Sequence, residues 1–297
     1  MSNFPVTPPE ILEITPEGAD RLLDELERSV PVHPAFVPLG PSPAKEAVVF
    51  GDSHGDWRSV QAVVEQFLAP GEERLLVGLG DYIDRPPDDC GEGSVANALY
   101  LLSLAARYPD RVLLLQGNHE TSRRIPAIPH RLPEEVDALW GPEADRYDRL
   151  MGLLERGPIA ATSPNGVYLA HAGFPRRFLS PWTATFERLD DDGLCEVVWA
   201  ECDASRSRRG AAPAWGAAEL DRFLEATGLA LVLRGHDPDL CGRSLYGGRC
   251  LTLHTTRIYE RFGGVISAKL PMGARLTSVA QIPIQHLPTE GRYFSPA

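Results

Sequence analysis

Residues 48–57, VVFGDSHGDW, end an apolar run in polar side chains that could bind a metal ion. Asp52, His54 and Asp56 are each separated from the next by one residue, and Gly51 and Gly55 lie among them. A single Asp after a strand commonly caps the following helix, but a cap needs no imidazole. Carboxylate and imidazole together are ligands that Mn, Fe and Zn accept in proteins. The stretch predicts either a capped turn or part of a metal site.

Four further apolar runs end in the same kind of residues. They are followed by GDYIDR (80–85), GNHE (117–120), HAG (171–173) and RGHD (234–237). Ligands of α/β sheets bind outside the carboxyl ends of the strands, so five polar sets would meet at one edge. Helix caps do not require histidine and asparagine at these places. So many ligands exceed the need of one ion with an open position, which predicts two ions that share a bridging carboxylate.

The elements that must position these residues form an α/β pattern. Short apolar runs at 47–50, 74–79 and 111–116 predict strands covered on both faces, with helices over about 57–68 and 95–107 between them. Further strands are expected at 166–171, 229–235, 249–254 and 264–270. This alternation at intervals of about 30 residues predicts a βαβ series, with the polar motifs at the carboxyl ends of its strands.

Residues 1–44 contain nine prolines and little periodicity. The exception is a predicted helix over about 16–28, with Thr15 as its N-cap and Pro16 at its first position. We therefore expect residues 1–44 to form an arm that packs on a catalytic domain at 45–297.

The order GDSHG, GDYIDR, GNHE, HAG, RGH resembles the calcineurin-like metallophosphoesterase superfamily, and within it the PPP-type serine/threonine protein phosphatases. The similarity covers about residues 47–270 and implies a β-sandwich core flanked by helices, with a dinuclear metal site at the carboxyl ends of the strands. It implies that the metal ligands are Asp52 and His54 for the first ion, Asp81 as the bridge, and Asn118, His171 and His236 for the second.

The same resemblance implies the roles of the residues around the metals. His119 would be the general acid, Asp84 would orient it, and Arg85 would bind the phosphate. Arg209 is the best match to a second phosphate-binding arginine, with Arg206 and Arg208 as alternatives. His254 is the last residue of the predicted strand at 249–254, so it is either a site residue or a neighbour of one.

The chemistry of phosphoester hydrolysis agrees with these roles. Two cations neutralise a phosphate and lower the pKa of a shared water, and planar guanidinium groups match the phosphate oxygens. A serine alkoxide is a poor leaving group, so it needs a proton donor such as His119. We therefore expect a phosphomonoesterase that acts on phosphoserine and phosphothreonine in proteins with two divalent ions, most simply Mn, with Fe or Zn as alternatives.

Several departures from the family pattern leave the substrate open. DRPP with an insert, DDCGEG (88–93), replaces DRG, and HAG resembles the diadenosine tetraphosphate hydrolase branch. TTRIY stands where the family has SAPNY, which leaves Tyr259 as a candidate substrate contact. Alternatives are a diadenosine polyphosphate or other small-phosphoester hydrolase, and a non-catalytic phosphate-binding module. The candidate stacking residues for adenine are Trp57, Tyr82, Phe174 and Tyr259.

Composition narrows the partners and the compartment. A net charge of −12 argues against general nucleic-acid binding, because a phosphate backbone would be repelled. No run of about 18 apolar residues exists, and the first ten residues lack the basic region of a secretory signal. The five cysteines are odd in number and never spaced as CxxC, so we expect reduced thiols and a cytoplasmic protein. A regulatory subunit and the oligomeric state stay open.

Overall fold

Two β-sheets pack face to face in the computed structural model, which describes residues 5–40, 43–71, 73–142, 145–206 and 209–288. The strands are β1 (Phe36–Pro38), β2 (Glu46–Phe50), β3 (Arg74–Gly78), β4 (Val112–Leu114), β5 (Ala160–Thr162), β6 (Val167–Ala170), β7 (Leu231–Arg234), β8 (Ser244–Leu245), β9 (Cys250–Thr252), β10 (Ile266–Pro271) and β11 (Ile284–His286). The α-helices are α1 (Pro8–Leu12), α2 (Pro16–Ser29), α3 (Trp57–Leu68), α4 (Gly93–Arg107), α5 (Leu132–Trp140), α6 (Arg146–Leu154), α7 (Asp191–Val198) and α8 (Ala217–Thr227).

The topology brings the carboxyl ends of the strands to a common edge. One sheet has the order β11-β10-β2-β3-β4, and the other has the order β1-β5-β6-β7-β9-β8. Strands β2, β3 and β4 are parallel, as are β6, β7 and β9. An isolated parallel bridge between Asp52 and His254 joins the ends of β2 and β9, so the two sheets meet beside the first motif.

Side-chain alternation along β2 explains the layers. Ala47 and Val49 belong to the core between the two sheets, whereas Val48 and Phe50 pack under the helices. Successive side chains of a strand point to opposite faces, so both faces of a central strand can be buried. Helices α2 to α6 cover one sheet, and α7 and α8 cover the other. The chain therefore has the β-sandwich core flanked by helices that the sequence predicts.

The predicted strands and helices are all observed, whereas α1, α5 to α8, β1, β5, β8 and β11 were not predicted. Helix α3 has the predicted bounds, and α4 begins two residues before the predicted position 95. Within the proline-rich segment, β1 pairs in parallel with β5, and α1 and α2 pack on α4. The sequence pattern did not indicate β1, because three residues are too few for periodicity. Among the described residues no helix is both long and apolar enough to cross a membrane.

Candidate metal centre

The backbone turns sharply at the residues that the motifs single out. Six non-glycine residues in the described ranges have left-handed φ angles, and Tyr246 is the one outside the motifs. The others are His54 (φ 42°), Asp81 (56°), Asp84 (65°), Arg85 (55°) and His236 (71°). Such a conformation costs about 1–3 kcal/mol and is concentrated at functional sites. It turns each chain segment away from its strand direction at the edge of the sheet.

Two motif glycines allow the strand ends to approach each other. A Cβ atom at Gly51 would overlap the carbonyl group of Leu253, where the two sheets meet. A Cβ atom at Gly117 would overlap the carboxylate of Asp81. These glycines let the ends of four strands, β2, β3, β4 and β9, converge.

On the first side of the site, His54 lies between two carboxylates. Its Nδ1 donates a hydrogen bond to the carbonyl of Ile83 at 3.0 Å, so Nε2 carries the lone pair, which accepts from Nη1 of Arg85 at 3.3 Å and which an ion would take instead. Nε2 is 3.9 Å from Oδ2 of Asp52 and 3.7 Å from Oδ2 of Asp81. A backbone carbonyl that fixes the tautomer in this way is typical of histidines that bind metals.

The second side is built from two histidines and an asparagine. Nδ1 of His171 donates to the carbonyl of Leu79 at 3.0 Å, so its Nε2 lone pair faces the site. This Nε2 is 2.9 Å from Oδ1 of Asn118, 3.1 Å from Nδ1 of His236 and 3.4 Å from Oδ2 of Asp81. Nitrogen and oxygen atoms that can act as ligands therefore converge.

Asp81 is common to both sides. It belongs to one group of possible ligand atoms with His54 and His119, and to another with His171 and His236, each within 4.8 Å. Asp52 is outside these groups and is linked to the site by its 3.9 Å distance to His54. The oxygen and imidazole set, with the tautomers of His54 and His171 fixed from behind, fits two divalent ions that share one carboxylate.

Charges at the site depend on burial and on the neighbouring groups. Burial lowers the pKa of His54 to about 3, so this imidazole is neutral at physiological pH. Burial raises the pKa of Asp52 to about 6. Burial also acts to raise the pKa of Asp81, but His171, His119 and His54 together hold it below its usual value. An ionised Asp52 is costly in this place unless a cation is beside it.

His119 and Asp84 form a buried pair next to the ligand cluster. Nδ1 of His119 donates to Oδ2 of Asp84 at 2.5 Å. Its Nε2 has no hydrogen-bond partner in the described part of the chain and lies 4.0 Å from Oδ2 of Asp81. Burial lowers the pKa of His119, but Asp81 and Asp84 outweigh this effect and raise it above the usual value. A protonated Nε2 facing the site can act as an acid.

The sequence reasoning missed His130, which also binds Asp84. Its Nδ1 lies 2.9 Å from the same Oδ2, and its Nε2 is 3.0 Å from the hydroxyl of Tyr147. Backbone N–H groups of Arg131 and Leu132 donate to the other oxygen at 2.6 and 3.2 Å. His130 follows no strand, so no positional signal marked it.

Glu120, the last residue of GNHE, was also missed. Its carboxylate accepts hydrogen bonds from the backbone N–H groups of Asp81, Tyr82 and Gly117 at 2.7–2.8 Å. Burial raises its pKa to about 7. Glu120 thus ties the second motif to the third, and its place in the motif was the available signal.

Two of the candidate arginines lie at the site. Nη1 of Arg85 is 3.3 Å from Nε2 of His54 and donates to the hydroxyl of Tyr259 at 3.1 Å. Nη1 of Arg209 donates to Nε2 of His236 at 2.5 Å. A metal bound at Nδ1 of His236 would require the proton on Nε2, so Arg209 would then have to leave this nitrogen. Arg206 is exposed, and Arg208 lies outside the described residues.

Comparison with known proteins identifies the family. The family model of calcineurin-like phosphoesterases matches residues 47–240. The chain is 29% identical over 228 residues to a probable serine/threonine-protein phosphatase of Encephalitozoon cuniculi, a match that covers 72% of this chain and 48% of the relative. It is 30% identical over 270 residues to serine/threonine-protein phosphatase PP2A-like PPG1 of Candida albicans, covering 85% of this chain and 60% of the relative.

A solved structure shares the fold. It is a protein serine/threonine phosphatase from Saccharomyces cerevisiae with similarity to human phosphatase PP5, at a TM-score of 0.70 and 20% identity, covering 97% of this chain and 92% of the other. The chain belongs to the calcineurin-like phosphoesterase family. It spans about half of the first curated relative and 60% of the second. The family and the ligand set imply divalent metal ions at a dinuclear site.

Proposed function

We propose that the protein is a metal-dependent serine/threonine protein phosphatase, which hydrolyses phosphomonoesters in phosphorylated proteins or peptides. The observation that carries the proposal is the juxtaposition of two ligand groups sharing Asp81 with the His119–Asp84 pair. The relatives named as serine/threonine phosphatases support the choice of substrate, since they match over 72% and 85% of this chain.

Six of the site residues would hold the two metal ions in this reaction. Asp52, His54 and Asp81 would hold one ion, and Asp81, Asn118, His171 and His236 the other. When bound, the two ions neutralise phosphate charge and lower the pKa of a water. We propose manganese, with iron or zinc as alternatives, because the set has oxygen and imidazole but no thiolate ligands.

The remaining residues bind the substrate and move a proton. Arg85 and Arg209 would hold phosphoryl oxygens through their guanidinium groups. Nε2–H of His119 would protonate the serine or threonine alkoxide as it leaves, while Asp84 keeps Nδ1–H in place. Tyr259, which accepts a hydrogen bond from Arg85, would line the same pocket. The presence of His119 at the site distinguishes this proposal from a non-catalytic binding module.

Burial of the candidate stacking residues disfavours diadenosine polyphosphates. Trp57, Tyr82 and Phe174 are exposed by 4%, 1% and 3%, and all three are core residues. The hydroxyl of Tyr82 donates to the carbonyl of Leu115 instead of facing the site. Of the four aromatic candidates, only Tyr259 touches site residues, so the other three are not placed to stack on adenine.

The test is phosphate release by manganese-loaded protein from a panel of matched phosphoserine, phosphothreonine and phosphotyrosine peptides, beside diadenosine tetraphosphate. We expect hydrolysis of the first two peptide classes and its loss on chelation. His119→Ala protein with both metals bound is the control for contaminating phosphatases. Hydrolysis of diadenosine tetraphosphate without release of phosphate from any peptide would overturn the choice of substrate.

We also propose a cytoplasmic location and no direct role for nucleic acid or membrane. All five cysteines are free thiols, which supports a reducing compartment. A regulatory subunit is compatible with this proposal, and size-exclusion chromatography of the protein from its own cell extract would detect one.

A further inference from the structure

His254 lies where the two sheets meet, at the same depth as Asp52. It follows β9 by two residues and forms the isolated bridge with Asp52. The backbone N–H of Thr255 donates to the carbonyl of Asp52 at 2.8 Å, and that of Ile266 donates to the carbonyl of His254 at 2.9 Å. The main chain of His254 is therefore fixed from both sides, next to a candidate ligand of the first ion.

The imidazole of His254 is fully buried and unsatisfied. Its exposed fraction is 0%, and neither ring nitrogen has a hydrogen-bond partner among the described residues. His54 and His171 each use one nitrogen on a backbone carbonyl. An unsatisfied buried polar group costs about 1–3 kcal/mol, and a Phe or Leu would avoid that cost. The presence of nitrogen in this place therefore calls for a partner.

The surroundings of His254 point to the first ion as that partner. Nδ1 is 3.5 Å from Oδ2 of Asp52, the oxygen that is 3.9 Å from Nε2 of His54. The rings of His54 and His254 both pack edge-on against Tyr259, with centroid distances of 5.6 and 5.4 Å. Ligand atoms around a tetrahedral ion with bonds of 2.0–2.1 Å are about 3.4 Å apart, close to the first of these distances.

We propose that His254 is a direct ligand of the first ion through Nδ1, beside Asp52, His54 and Asp81. This inference rests on the proposed two-metal centre and adds to it a ligand outside the five motifs. It makes the first site richer in nitrogen, with two imidazoles and two carboxylates. Such a site favours zinc or iron over magnesium at that position.

The experiment compares wild type with His254→Phe, which keeps an aromatic ring but removes both nitrogens. Metal-free protein is titrated with Co²⁺, and binding is followed by calorimetry and by the visible absorption of cobalt, which reports the number and type of its ligands. We expect one of the two ions to bind about 100-fold more weakly, the upper end of the loss seen even for indirect partners of metal ligands. The cobalt spectrum of that ion should change in shape and intensity.

The matched control is Thr252→Val on β9. Thr252 is also fully buried, and its hydroxyl has no partner within the described ranges. This variant should bind both ions like wild type. If His254→Phe fails to fold, His254→Gln serves in its place, because an amide does not reproduce the cobalt spectrum of an imidazole ligand.

Two results would overturn the proposal. One is unchanged affinity and an unchanged spectrum in His254→Phe. The other is weaker binding with an unchanged spectrum, which would mean that His254 acts only by positioning Asp52. Failure of the proposed phosphatase function is seen separately, as two-ion binding by wild type without hydrolysis of phosphopeptides.

Discussion

At the residue scale, His119 and Asp81 lie side by side but are expected to act differently. Oδ1 of Asp81 accepts a hydrogen bond from the backbone N–H of His119 at 3.1 Å, and Oδ2 lies in both ligand groups. His119 uses Nδ1 on Asp84, and its Nε2 faces the site. We therefore expect Asp81 to hold the ions and His119 to hold the proton.

Substitutions should separate these two tasks. We expect His119→Ala to retain both metals and to lower kcat by about 10²–10⁴-fold, the usual contribution of a general acid. The fold should survive, because His130 and two backbone N–H groups still bind Asp84. Asp81→Asn should lose metal as well as activity, since the shared carboxylate loses its charge. Metal content by mass spectrometry and kcat on a phosphopeptide check both.

Two outcomes would contradict these roles, one for each variant. Loss of both metals in His119→Ala would make His119 a ligand, as its place in one group of possible ligand atoms with His54 and Asp81 allows. Full metal content with normal turnover in Asp81→Asn would show that Asp81 does not bind the ions.

At the element scale, the inserted segment after Arg85 is tied to the loop that carries Tyr259. The guanidinium of Arg257 donates to Asp56 at 2.9–3.2 Å, and its Nη1 donates to Asp89 at 2.8 Å. Asp89 lies in the single turn Asp88–Cys90 within the insert. Arg257 is two residues before Tyr259, so this clamp fixes the loop over the site.

Breaking this clamp should weaken substrate binding more than turnover. We expect Asp89→Asn to raise KM for phosphopeptides several-fold with little change in kcat, because Tyr259 and Arg85 lose a fixed position. Asp89 is chosen because Asp56 is fully buried, and removing Arg257 would leave it unpaired at a cost of about 3–5 kcal/mol. Arg261→Met is the control, since the guanidinium of Arg261 lies 4.7 Å over the ring of Phe262. A several-fold loss of kcat with an unchanged KM in Asp89→Asn would contradict the role of the clamp.

The sequence predicted those features that depend on residues close together in the chain. Apolar runs followed by polar motifs identified β2, β3 and β4 and placed Asp52, Asp81 and Asn118 at their ends. Elements of two or three residues, such as β1 and β8, carry no readable period. Pairings between distant segments, such as Arg257 with Asp56 and His130 with Asp84, depend on tertiary packing that no spacing indicates.

At the scale of the whole molecule, α2 is held on the rest of the fold in two ways. Leu23 and Leu26 are buried in the core beneath the helices. On the other side, Arg149 of α6 donates to Asp24 at 2.6 Å and to Glu27 at 2.7 Å. The apolar contact should contribute more, because Asp24 and Glu27 are partly exposed and solvent screens their charges.

Two variants should rank these contributions. We expect Arg149→Met to lower the free energy of unfolding by at most about 1 kcal/mol, an effect that 0.5 M salt reduces. Leu26→Ala should cost about 2–5 kcal/mol and should be insensitive to salt. Urea unfolding measures both, and hydrogen exchange of α2 reports detachment of the arm. A larger loss from Arg149→Met would mean that ion pairs hold the arm.

The candidate metal centre lies at the edge where the two sheets meet, so its ions should stabilise the whole fold in a pH-dependent way. Burial raises the pKa of Asp52 from 3.8 to about 6 in the folded protein. In metal-free protein the protonated carboxyl of Asp52 contributes stability to the fold. This contribution is fully present below about pH 4 and is lost as the pH rises through about 6. Bound cations need the ionised carboxylate and reverse this loss, whereas protons compete with them at lower pH.

The expected result is a larger metal effect at higher pH. At 100 times the dissociation constant an ion adds about 2.7 kcal/mol to stability. The difference in Tm between manganese-loaded and chelated protein should therefore be greater at pH 7.5 than at pH 5.5. His54 stays neutral in the folded protein at both pH values, because burial lowers its pKa to about 3, so its protonation does not change the difference between loaded and chelated protein. Asp52→Asn is the control. Its metal-free form should lack the loss of stability that Asp52 causes between about pH 4 and 6, and added metal should stabilise it less than it stabilises wild type. Equal Tm differences at both pH values would show that Asp52 does not bind the ion.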